Sequence, residues 1–538
     1  MSTADDFPRP YRRSPDQDHS AAVRHRVVVV GGGPVGLALA VDLGARGVPC
    51  VVVDGKPAFG EGSRGLCYAK RTLEILDRLG VGERAVAKGV TWQLGKVFHG
   101  TDLLYQFNLL PEGGHKMPAF INLQQYYIEQ YLYERCQELP AVDLRFQNKC
   151  VGVETFPDHA RIRLETPDGV YELEADWLIA CDGSRSTVRQ LMGLSFEGRV
   201  FEDRFLIADI KMPADYPAER WFWFDPPFNP GQSALLHKQP DDIWRIDLQL
   251  GWDADPALEK KPERVRPRLE AMLGKDRSFE FDWISVYTFQ CRRLARFIHG
   301  PVIFAGDAAH LVSPFGARGF NSGVQDTDNL AWKLAAVLEG QAPPALLATY
   351  ALEREPAADE NLLNSTRSTD FITPKSRASR AIRDAALSLA ADAPFARSLV
   401  NSGRLSTPTV YDTPLSTPDT EPFGGAAKLG APIPDAPLVS ADGHGTWLLN
   451  LLDHRFTLIH VGDDLPGALP PQVELLRIGR DARDEAGLFR QRYDARPGSA
   501  YLVRPDQHLC ARFREFEPGA LKAAVDRALG WDLASRMA

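Results

Sequence analysis

Residues 26–40 read RVVVVGGGPVGLALA, an apolar strand followed by a glycine-rich turn and the start of a helix. In this setting the spacing of Gly31, Gly33 and Gly36 is typical of a dinucleotide-binding turn. The first glycine permits a tight turn, the second lets the backbone approach a pyrophosphate, and the third lets the helix pack on the strand. The helix N-terminus after Pro34 offers free N–H groups and the positive end of its dipole to phosphates. The stretch therefore predicts a strand–turn–helix unit that binds a dinucleotide.

A carboxylate follows at the position that such a unit needs. The second apolar strand, residues 50–53, ends in Asp54, about 20 residues after the glycine turn. Its side chain can accept a hydrogen bond from a ribose hydroxyl. A glycine-rich β-turn without a ligand is the alternative, and the strand, the helix and Asp54 together favour the dinucleotide site over it.

Two further segments belong to the same site. Residues 181–184 read CDGS and residues 305–310 read AGDAAH, and each follows an apolar run that predicts a buried strand. Asp182 and Asp307 are therefore expected at the carboxyl ends of strands, where open α/β sheets bind their ligands. Each motif alone is a common turn. Together with the first glycine turn, and in this order, the three motifs predict a cradle for one FAD.

The stretch from Ala308 to Ala335 is the most specific part of the chain. Gly316 and Gly319 let a ligand ring lie against the backbone, and a helix is predicted to start near Asn321. The N–H groups of that helix can face the anionic edge of a reduced flavin. This stretch predicts a flavin ring, rather than a nicotinamide, at the end of the cradle.

Length and composition limit the classes of protein to which this chain can belong. The chain has 538 residues, 44% of them hydrophobic and 25% charged, which is ordinary for a globular protein of several domains. The net charge of −9 gives no basic field for nucleic acid. The seven cysteines form no C-x-x-C pair, which favours reduced thiols in a cytoplasmic protein over a disulfide frame or a metal site. No stretch is typical of a membrane-spanning helix, and the polar residues 1–24 predict a disordered leader.

The character of the sequence changes along the chain and predicts an α/β protein of three parts. A Rossmann-like FAD-binding domain is expected in two pieces, residues 25–200 and 296–403, the second with long helices. Between them, residues 201–295 are rich in aromatic strand candidates, which suits a substrate-binding sheet; a plain hydrophobic sheet is the alternative. Residues 404–435 are rich in Pro, Ser and Thr and predict a linker to a small α/β domain at 436–538.

With these motifs, the chain resembles the flavoprotein aromatic hydroxylases of the para-hydroxybenzoate hydroxylase type, over about residues 26–367. The C-terminal part resembles, by length and strand pattern, the thioredoxin-like domain of the phenol hydroxylase and 3-(3-hydroxyphenyl)propionate hydroxylase branch. Because this part lacks C-x-x-C, we expect no redox role for it.

The resemblance implies a reaction. NADH or NADPH reduces FAD, O2 adds to form a flavin C4a-hydroperoxide, and its distal OH is transferred to an electron-rich aromatic ring. It also implies contacts to the cofactor: the three glycines and Pro34 with the ADP moiety, Asp54 with its ribose, Asp307 with the flavin-side ribose, and Pro314 with the oxygen-reacting face of the ring. The cofactor-binding set carried over by the resemblance is Gly31, Gly33, Pro34, Gly36, Asp54, Arg64, Gln125, Asp182, Asp307, Pro314, Gly319, Phe320 and Asn321.

The sequence specifies the catalytic groups near the substrate less closely than it specifies the cofactor-binding residues. Hydroxyl transfer depends mostly on positioning and on electrostatics at the flavin, and a base or donor near the substrate helps. Candidates beside Pro314 are His237, Arg245 and Tyr287 on the aromatic strands. Arg245 could pair with a substrate carboxylate. Each of the three has a structural or solvent-facing role as its alternative.

The expected partner is a small aromatic substrate, without nucleic acid or membrane, and a homodimer stays open. A denitrating or decarboxylating flavin monooxygenase of the same fold is an alternative that the sequence does not separate from a simple hydroxylase. A flavin-binding protein without turnover is a remote one, because it predicts lost glycines or a disrupted Asp-Gly motif, and all of these are intact.

Overall fold

The computed structural model describes residues 8–59, 65–400, 405–463 and 467–533. Its strands fall into three large sheets and one small one. Up to residue 180 they are β1 Val23–Val30, β2 Cys50–Asp54, β3 Cys67–Ala69, β4 Val90–Trp92, β5 Leu94–His99, β6 Asp102–Asn108, β7 Phe120–Asn122, β8 Val142–Phe146, β9 Lys149–Thr155, β10 Ala160–Thr166 and β11 Gly169–Ala180. Then follow β12 Phe196–Lys211, β13 Arg220–Phe224, β14 Ser233–Lys238, β15 Ile243–Leu250, β16 Glu280–Leu294, β17 Ile298–His299, β18 Val302–Phe304 and β19 His310–Leu311. The C-terminal strands are β20 Pro437–Ser440, β21 Gly445–Trp447, β22 Phe456–Val461, β23 Val473–Ile478, β24 Ala482–Arg483, β25 Ala500–Val503 and β26 Leu509–Phe513.

The helices connect and cover these sheets. They are α1 Pro34–Ala45, α2 Lys70–Arg78, α3 Gly82–Lys88, α4 Gln125–Gln137, α5 Thr187–Leu191, α6 Pro256–Glu259, α7 Pro262–Leu273, α8 Gly319–Leu338, α9 Ala345–Ile372, α10 Arg377–Asp392, α11 Pro394–Arg397, α12 Leu488–Tyr493 and α13 Pro518–Ala528. Within the described residues, no helix combines the length and the apolar character that crossing a membrane requires.

The nucleotide sheet has the order β17-β18-β11-β1-β2-β8, extended by β10 and β9. The pairs β18–β11, β11–β1, β1–β2 and β2–β8 are parallel. Residues 27–30 of β1 are buried, as a parallel strand covered on both faces must be. This explains the unbroken run of valines, and it places the carboxyl ends of β1, β11 and β18 side by side.

The second large sheet, here called the aromatic sheet, has the order β19-β16-β12-β15-β14-β13-β5-β6. One face is covered by α7, where Val265 and Leu269 are buried against strand residues such as Trp244 and Ile246. The opposite face, the inner face, points to the nucleotide domain. The sheet does not keep to the predicted bounds of 201–295: β5 and β6 join it from residues 94–108, because sheet pairing unites segments far apart in sequence.

The described parts of the predicted leader and of the predicted linker are packed against the protein. In the described part of the leader, Pro8 pairs with Ala58, and residues 15–18 form a 3-10 turn. The disorder predicted for 1–24 is therefore wrong from residue 8 onward, because Arg9 is buried and Asp16 pairs with the buried Arg145. Residues 405–435 contain turns and an isolated bridge but bury Leu405, Tyr411 and Leu415, so this stretch is a packed connection rather than a free tether.

Candidate cofactor and substrate site

The three motifs meet at one edge of the nucleotide sheet. The glycine turn follows β1, Asp182 follows β11, and Asp307 follows β18, and these strands are parallel neighbours. Because the carboxyl ends of parallel strands lie together, segments far apart in the chain form a single cleft.

The glycines of the first motif divide their roles between packing and ligand. At Gly31, where φ is +115°, a Cβ would lie 2.4 Å from the carbonyl oxygen of Cys181, and at Gly36 it would lie 2.0 Å from that of Gly31. These two glycines allow strand and helix to approach. At Gly33 a Cβ would have no described atom within 4 Å. The space above Gly33 therefore fits a pyrophosphate that lies against the backbone.

The first and third motifs touch through Val35. A Cβ on Gly306 would lie 3.1 Å from the Val35 side chain, and a Cβ on Gly323 would lie 2.8 Å from it. Helices α1 and α8 therefore converge on the same cleft, and α1 begins at Pro34 with Gly33 as its N-cap. Proline is well suited to this first helical position because its missing N–H would have no partner there.

Asp54 supports the glycine turn directly. Its Oδ2 accepts a hydrogen bond from the Gly32 N–H at 2.8 Å, and its Oδ1 accepts one from the Lys56 N–H at 2.8 Å. Each carboxylate oxygen can accept a second hydrogen bond, so the half-buried group keeps capacity for a ribose hydroxyl.

At the same edge of the sheet, one carboxylate oxygen of Asp182 has no hydrogen-bond donor among the described residues. Its Oδ2 accepts from the Val188 N–H at 3.0 Å, whereas its Oδ1 is buried without a hydrogen-bond partner among the described residues. Burial raises the pKa of Asp182, and hydrogen bonds from Ser186 and from backbone N–H groups oppose the rise. A buried acceptor in this state is costly until it meets a donor, and a ligand hydroxyl or amide supplies one.

Arg189 joins the second motif to the third. Its guanidinium donates to the carbonyl oxygen of Ser184 at 2.8 Å and to that of Ala308 at 3.2 Å, while lying 3.8 Å over the ring of Phe196. The spacing of the two Asp-bearing turns is therefore set by a side chain that neither motif contains.

Asp307 is exposed between buried neighbours. The turn that holds it is anchored by Asp326 of α8, whose Oδ2 accepts from the Gly306 N–H at 2.9 Å and lies 2.7 Å from His310 Nε2. Burial acts to raise the pKa of Asp326, but His310 and Arg354 hold it below its ordinary value. His310 therefore has a structural contact within this turn.

The first turn of α8 forms the flavin end of the cleft. Pro314 is exposed in the loop before it, Gly316 adopts φ +103°, and Phe320 packs edge-on against Tyr68 with ring centroids 4.9 Å apart. Gly319 begins the helix, and a Cβ on it would lie 3.9 Å from Asp307 Oδ1, so the free N–H groups of the first turn lie near the third motif.

The side chain of Asn321 holds two structural elements together. Its Oδ1 accepts from the Ala69 N–H, and its Nδ2 donates to the carbonyl oxygen of Cys67, both at 2.9 Å. The side chain is buried and clamps β3 to α8. That Asn321 lines the flavin ring stays a prediction, and these contacts leave its backbone, rather than its side chain, to do so.

Two other residues predicted to bind the cofactor are Arg64 and Gln125. Arg64 is outside the described residues. Gln125, at the start of α4, accepts a hydrogen bond from the Gly65 N–H at 2.8 Å and donates to Glu129 at 2.7 Å. Gln125 therefore orders the backbone that follows residues 60–64.

Strand register places the predicted substrate residues on the inner face. His237 lies opposite Arg245, Arg245 lies opposite Asp209, and Tyr287 lies opposite Phe205. Directly paired residues share a face of the sheet. Phe205 in turn contacts Phe315 of the flavin-end loop, with centroids 4.9 Å apart, so this face borders the cleft.

Arg245 is engaged by the protein. It makes a two-point contact with Asp209, Nε to Oδ1 at 2.8 Å and a terminal nitrogen to Oδ2 at 2.7 Å. Although burial acts to lower it, the Asp209 carboxylate holds the pKa of Arg245 above its ordinary value. Arg245 is therefore held by Asp209, and its pairing with a substrate carboxylate stays a prediction.

His237 and Tyr287 occupy contrasting surroundings. His237 is 4% exposed, and burial together with Arg220 and Arg245 lowers its pKa well below the ordinary value. It is therefore a neutral hydrogen-bonding group rather than a base that takes a proton near neutral pH. Tyr287 is 45% exposed, with its ring centroid 5.6 Å from that of Phe289.

Arg9 is a site residue that sequence reasoning missed. It is 2% exposed, donates to the carbonyl oxygen of Gly32 at 2.9 Å, and lies 3.8 Å over the ring of Phe59. Glu129 is 3.5 Å away. Burial lowers the pKa of Arg9, while Glu129 and Asp54 raise it. The leader thus closes the nucleotide end of the cleft, and no pattern in its polar sequence indicates this.

We expect Arg9→Met to weaken FAD binding roughly 10- to 100-fold, because the glycine turn loses a charge-assisted hydrogen bond of about 1.5–3 kcal/mol. Methionine keeps much of the apolar stem. The dissociation constant of FAD, measured by flavin fluorescence, tests this. The exposed Arg13→Met serves as the matched control from the same segment. Equal FAD affinity in the two variants would contradict a role for Arg9.

Comparisons with known proteins agree with this geometry. The sequence profile of a family described as "FAD binding domain" matches residues 24–365. A 12-dehydrotetracycline 5-monooxygenase/anhydrotetracycline 6-monooxygenase of Streptomyces rimosus is 30% identical over 515 residues, covering 91% of this chain and 95% of the relative. A 3-(3-hydroxy-phenyl)propionate/3-hydroxycinnamic acid hydroxylase of Mycobacterium sp. is 31% identical over 362 residues, covering 66% of this chain and 61% of the relative.

Solved structures show the same architecture. The flavin-dependent monooxygenase PieE, crystallised with FAD and substrate, superimposes with a TM-score of 0.80 at 24% identity, covering 95% of this chain and 100% of that one. The OxyS anhydrotetracycline hydroxylase from Streptomyces rimosus gives a TM-score of 0.72 at 28% identity, covering 94% and 99%. With the family profile spanning the nucleotide and aromatic sheets, the chain belongs to the FAD-binding-domain family of flavin-dependent monooxygenases.

Proposed function

We propose that this protein uses NADH or NADPH, O2 and bound FAD to hydroxylate an aromatic substrate that carries a phenolic hydroxyl. The observation that carries the proposal is the junction of the FAD cradle and the aromatic sheet. Phe315, next to the exposed Pro314, packs against Phe205 and Phe289 of the inner face. A flat substrate bound there would lie between the flavin end of α8 and an aromatic wall.

Different residues of this chain bind the nucleotide, stabilise charge at the flavin and position the substrate. The space above Gly33 and the carboxylates of Asp54 and Asp307 fit the nucleotide part of FAD, and the N–H groups at the start of α8 stabilise negative charge at the flavin end. Bound FAD supplies the redox chemistry, taking a hydride from the nicotinamide and activating O2. The sheet holds the substrate in place and excludes water, which is the main protein contribution to this kind of transfer.

The match over nearly the whole chain favours a fused-ring substrate. The relative named for 12-dehydrotetracycline and anhydrotetracycline is matched over 91% of this chain, whereas a para-nitrophenol 4-monooxygenase of Pseudomonas sp. is matched over 61%. Denitrating or decarboxylating hydroxylation of the same ring class remains the second candidate, and the products separate the two.

The test is substrate-stimulated oxidation of NADH or NADPH by the yellow, FAD-loaded protein. The panel is anhydrotetracycline, 3-(3-hydroxyphenyl)propionate and 4-nitrophenol. We expect at least one compound to accelerate oxidation and to gain one oxygen atom, traced from 18O2 by mass spectrometry. Nitrite or CO2 release would indicate the second candidate. Asp307→Ala, which removes the exposed carboxylate of the cradle, serves as the negative control for this oxidation. Absence of stimulation by the whole panel with flavin still bound would count against a phenol hydroxylase.

A further inference from the structure

A carboxylate on the inner face, Asp247 of β15, stands apart from the ion pair beside it. Strand register puts Asp247 opposite Ile207 on one side and Leu235 on the other. Its side chain is half-buried, whereas Arg245, two residues before it on the same face, is buried against Asp209. Asp247 is therefore a partly accessible acid set in an apolar part of the wall.

The hydrogen bonds of Asp247 are incomplete. Its Oδ1 is buried and has no hydrogen-bond partner among the described residues. The Nδ1 of His237, on the neighbouring strand, is in the same condition. A buried acceptor without a donor costs about 1–3 kcal/mol. Such a cost is tolerated at a place where a ligand supplies the missing donor, and a phenolic O–H is such a donor.

Hydrogen bonds through β3 join the aromatic sheet near Asp247 to the first turn of α8. The Cys67 thiol donates to Asn122 Oδ1 at 3.2 Å, and the Asn122 amide donates to the carbonyl oxygen of Lys238 at 2.9 Å. Lys238 ends β14, the strand that pairs with β15 and so lies beside Asp247. The carbonyl oxygen of the same Cys67 accepts the hydrogen bond from Asn321 in the first turn of α8.

We propose that Asp247 is the acid–base group that contacts the substrate, accepting a hydrogen bond from the ring hydroxyl and taking its proton as the ring is hydroxylated. This inference rests on the proposed function. In the step, the substrate O–H bond breaks and an O–H bond to Asp247 forms. The electron pair stays on the substrate oxygen and enriches the ring positions ortho and para to it. The proton returns to solvent after product leaves, so no oxidant or reductant is needed.

The charges around Asp247 suit this role. Burial raises the pKa of Asp247 to about 6, with Arg245 and Arg220 lowering it and Asp209 raising it. His237 stays neutral because its pKa is lowered, and the two arginines stay cationic. The carboxylate is therefore ionised above pH 6 and near the working pH that general-base catalysis favours. Because a protonated Asp247 cannot accept the substrate proton, we predict that hydroxylation slows as the pH falls through about 6.

The experiment compares Asp247→Asn, Asp247→Glu and Asp282→Asn in the FAD-loaded protein. Asp282 is exposed on the same sheet and receives the same chemical change. With the panel compound that turns over best, we expect Asp247→Asn to lower kcat by roughly 10²- to 10⁴-fold with little change in KM and to lose the acidic limb of the pH profile. Asp247→Glu should restore part of kcat, and Asp282→Asn should match the unmodified protein.

Binding without turnover gives a second readout. Quenching of flavin fluorescence measures the affinity for 3-(3-hydroxyphenyl)propionate, whose phenol keeps its proton at neutral pH, and for its methyl ether, 3-(3-methoxyphenyl)propionate. We expect the protein to prefer the phenol and Asp247→Ala to lose most of that preference. The inference is overturned if the phenol is hydroxylated while Asp247→Asn keeps kcat and the acidic limb, or if Asp247→Ala keeps the preference; the proposed function then stands. If no phenol binds or turns over, the proposed function fails and the inference fails with it.

Discussion

Replacement of Gly33 by alanine is expected to give a folded protein that no longer retains FAD. The backbone at Gly33 has φ −80°, which alanine adopts readily, and the added methyl group would meet no described atom of the protein. It would occupy the space against which the pyrophosphate lies. Overpacking of this kind costs about 1–3 kcal/mol, or roughly 10- to 100-fold in the Kd of FAD. Flavin absorbance after gel filtration and titration of apoprotein with FAD measure the loss.

Gly36→Ala is the matched comparison, because the same methyl group there would lie 2.0 Å from the carbonyl oxygen of Gly31. Here α1 has to move from β1, at a cost of about 3 kcal/mol or more to the folded state. We therefore expect Gly36→Ala to lower the unfolding temperature of the apoprotein and Gly33→Ala to leave it unchanged. Equal thermal stability with equal FAD loss in both variants would overturn the division of roles between the glycines.

Arg504→Ala is expected to destabilise the protein by about 3–5 kcal/mol, the usual result of removing one partner from a buried ion pair. Arg504 follows β25 in the C-terminal domain, and its guanidinium donates to Glu353 of α9 at 2.7 Å and also pairs with Asp506. All three side chains are buried. Lys333 of α8 binds the same Glu353 at 2.7 Å, and burial lowers the pKa of Lys333 to about 8.

The physical reason for so large an effect is that both acids would remain buried after losing Arg504, with only Lys333 left as the cation beside Glu353. The arginine holds the pKa of Glu353 well below its ordinary range against the opposing effect of burial. The apolar cluster around the network is also shared, since Trp332 and Leu346 of the nucleotide domain pack with Leu458 and Leu502 of the C-terminal sheet. Loss of Arg504 therefore weakens the docking of the C-terminal domain on α8 and α9.

Thermal unfolding followed by circular dichroism, with flavin release followed by fluorescence, tests this prediction. The control is Arg455→Ala, which breaks a half-exposed pair with Glu474 in the same domain, where the expected cost is about 0–1 kcal/mol. We expect a fall of several degrees in the unfolding temperature for Arg504→Ala alone. The same small shift in both variants would show that the buried network does not hold the domains together.

The parts of the site that sequence predicted are those set by local backbone geometry. A strand, a turn that needs glycine and a helix start are specified by neighbouring residues, so the positions of Gly31, Gly33 and Gly36 follow from their spacing alone. The carboxylates after β11 and β18 were predictable for the same reason. The clamps between motifs were not, because Arg189 and Asp326 act on residues far away in the chain.

The inner face of the aromatic sheet contains charged residues whose partners could not be predicted from sequence. Composition indicated an aromatic sheet and three candidate residues, but the partner of a charged side chain depends on which strands pair. Arg245 is neutralised because β12 brings Asp209 to it, whereas Asp247, two residues on, meets Ile207 instead. Sequence alone cannot distinguish these two charges.

By itself, then, the sequence determined a nucleotide cradle, its glycines and its acids, since these depend on contacts within a few residues. Only the tertiary structure placed Arg9 against the glycine turn and linked the C-terminal domain to α9 through Arg504. It alone also placed Asp247 on the inner face of the aromatic sheet. The physical reason is that burial and pairing set the energy of a charge, and both arise only when distant segments are packed together.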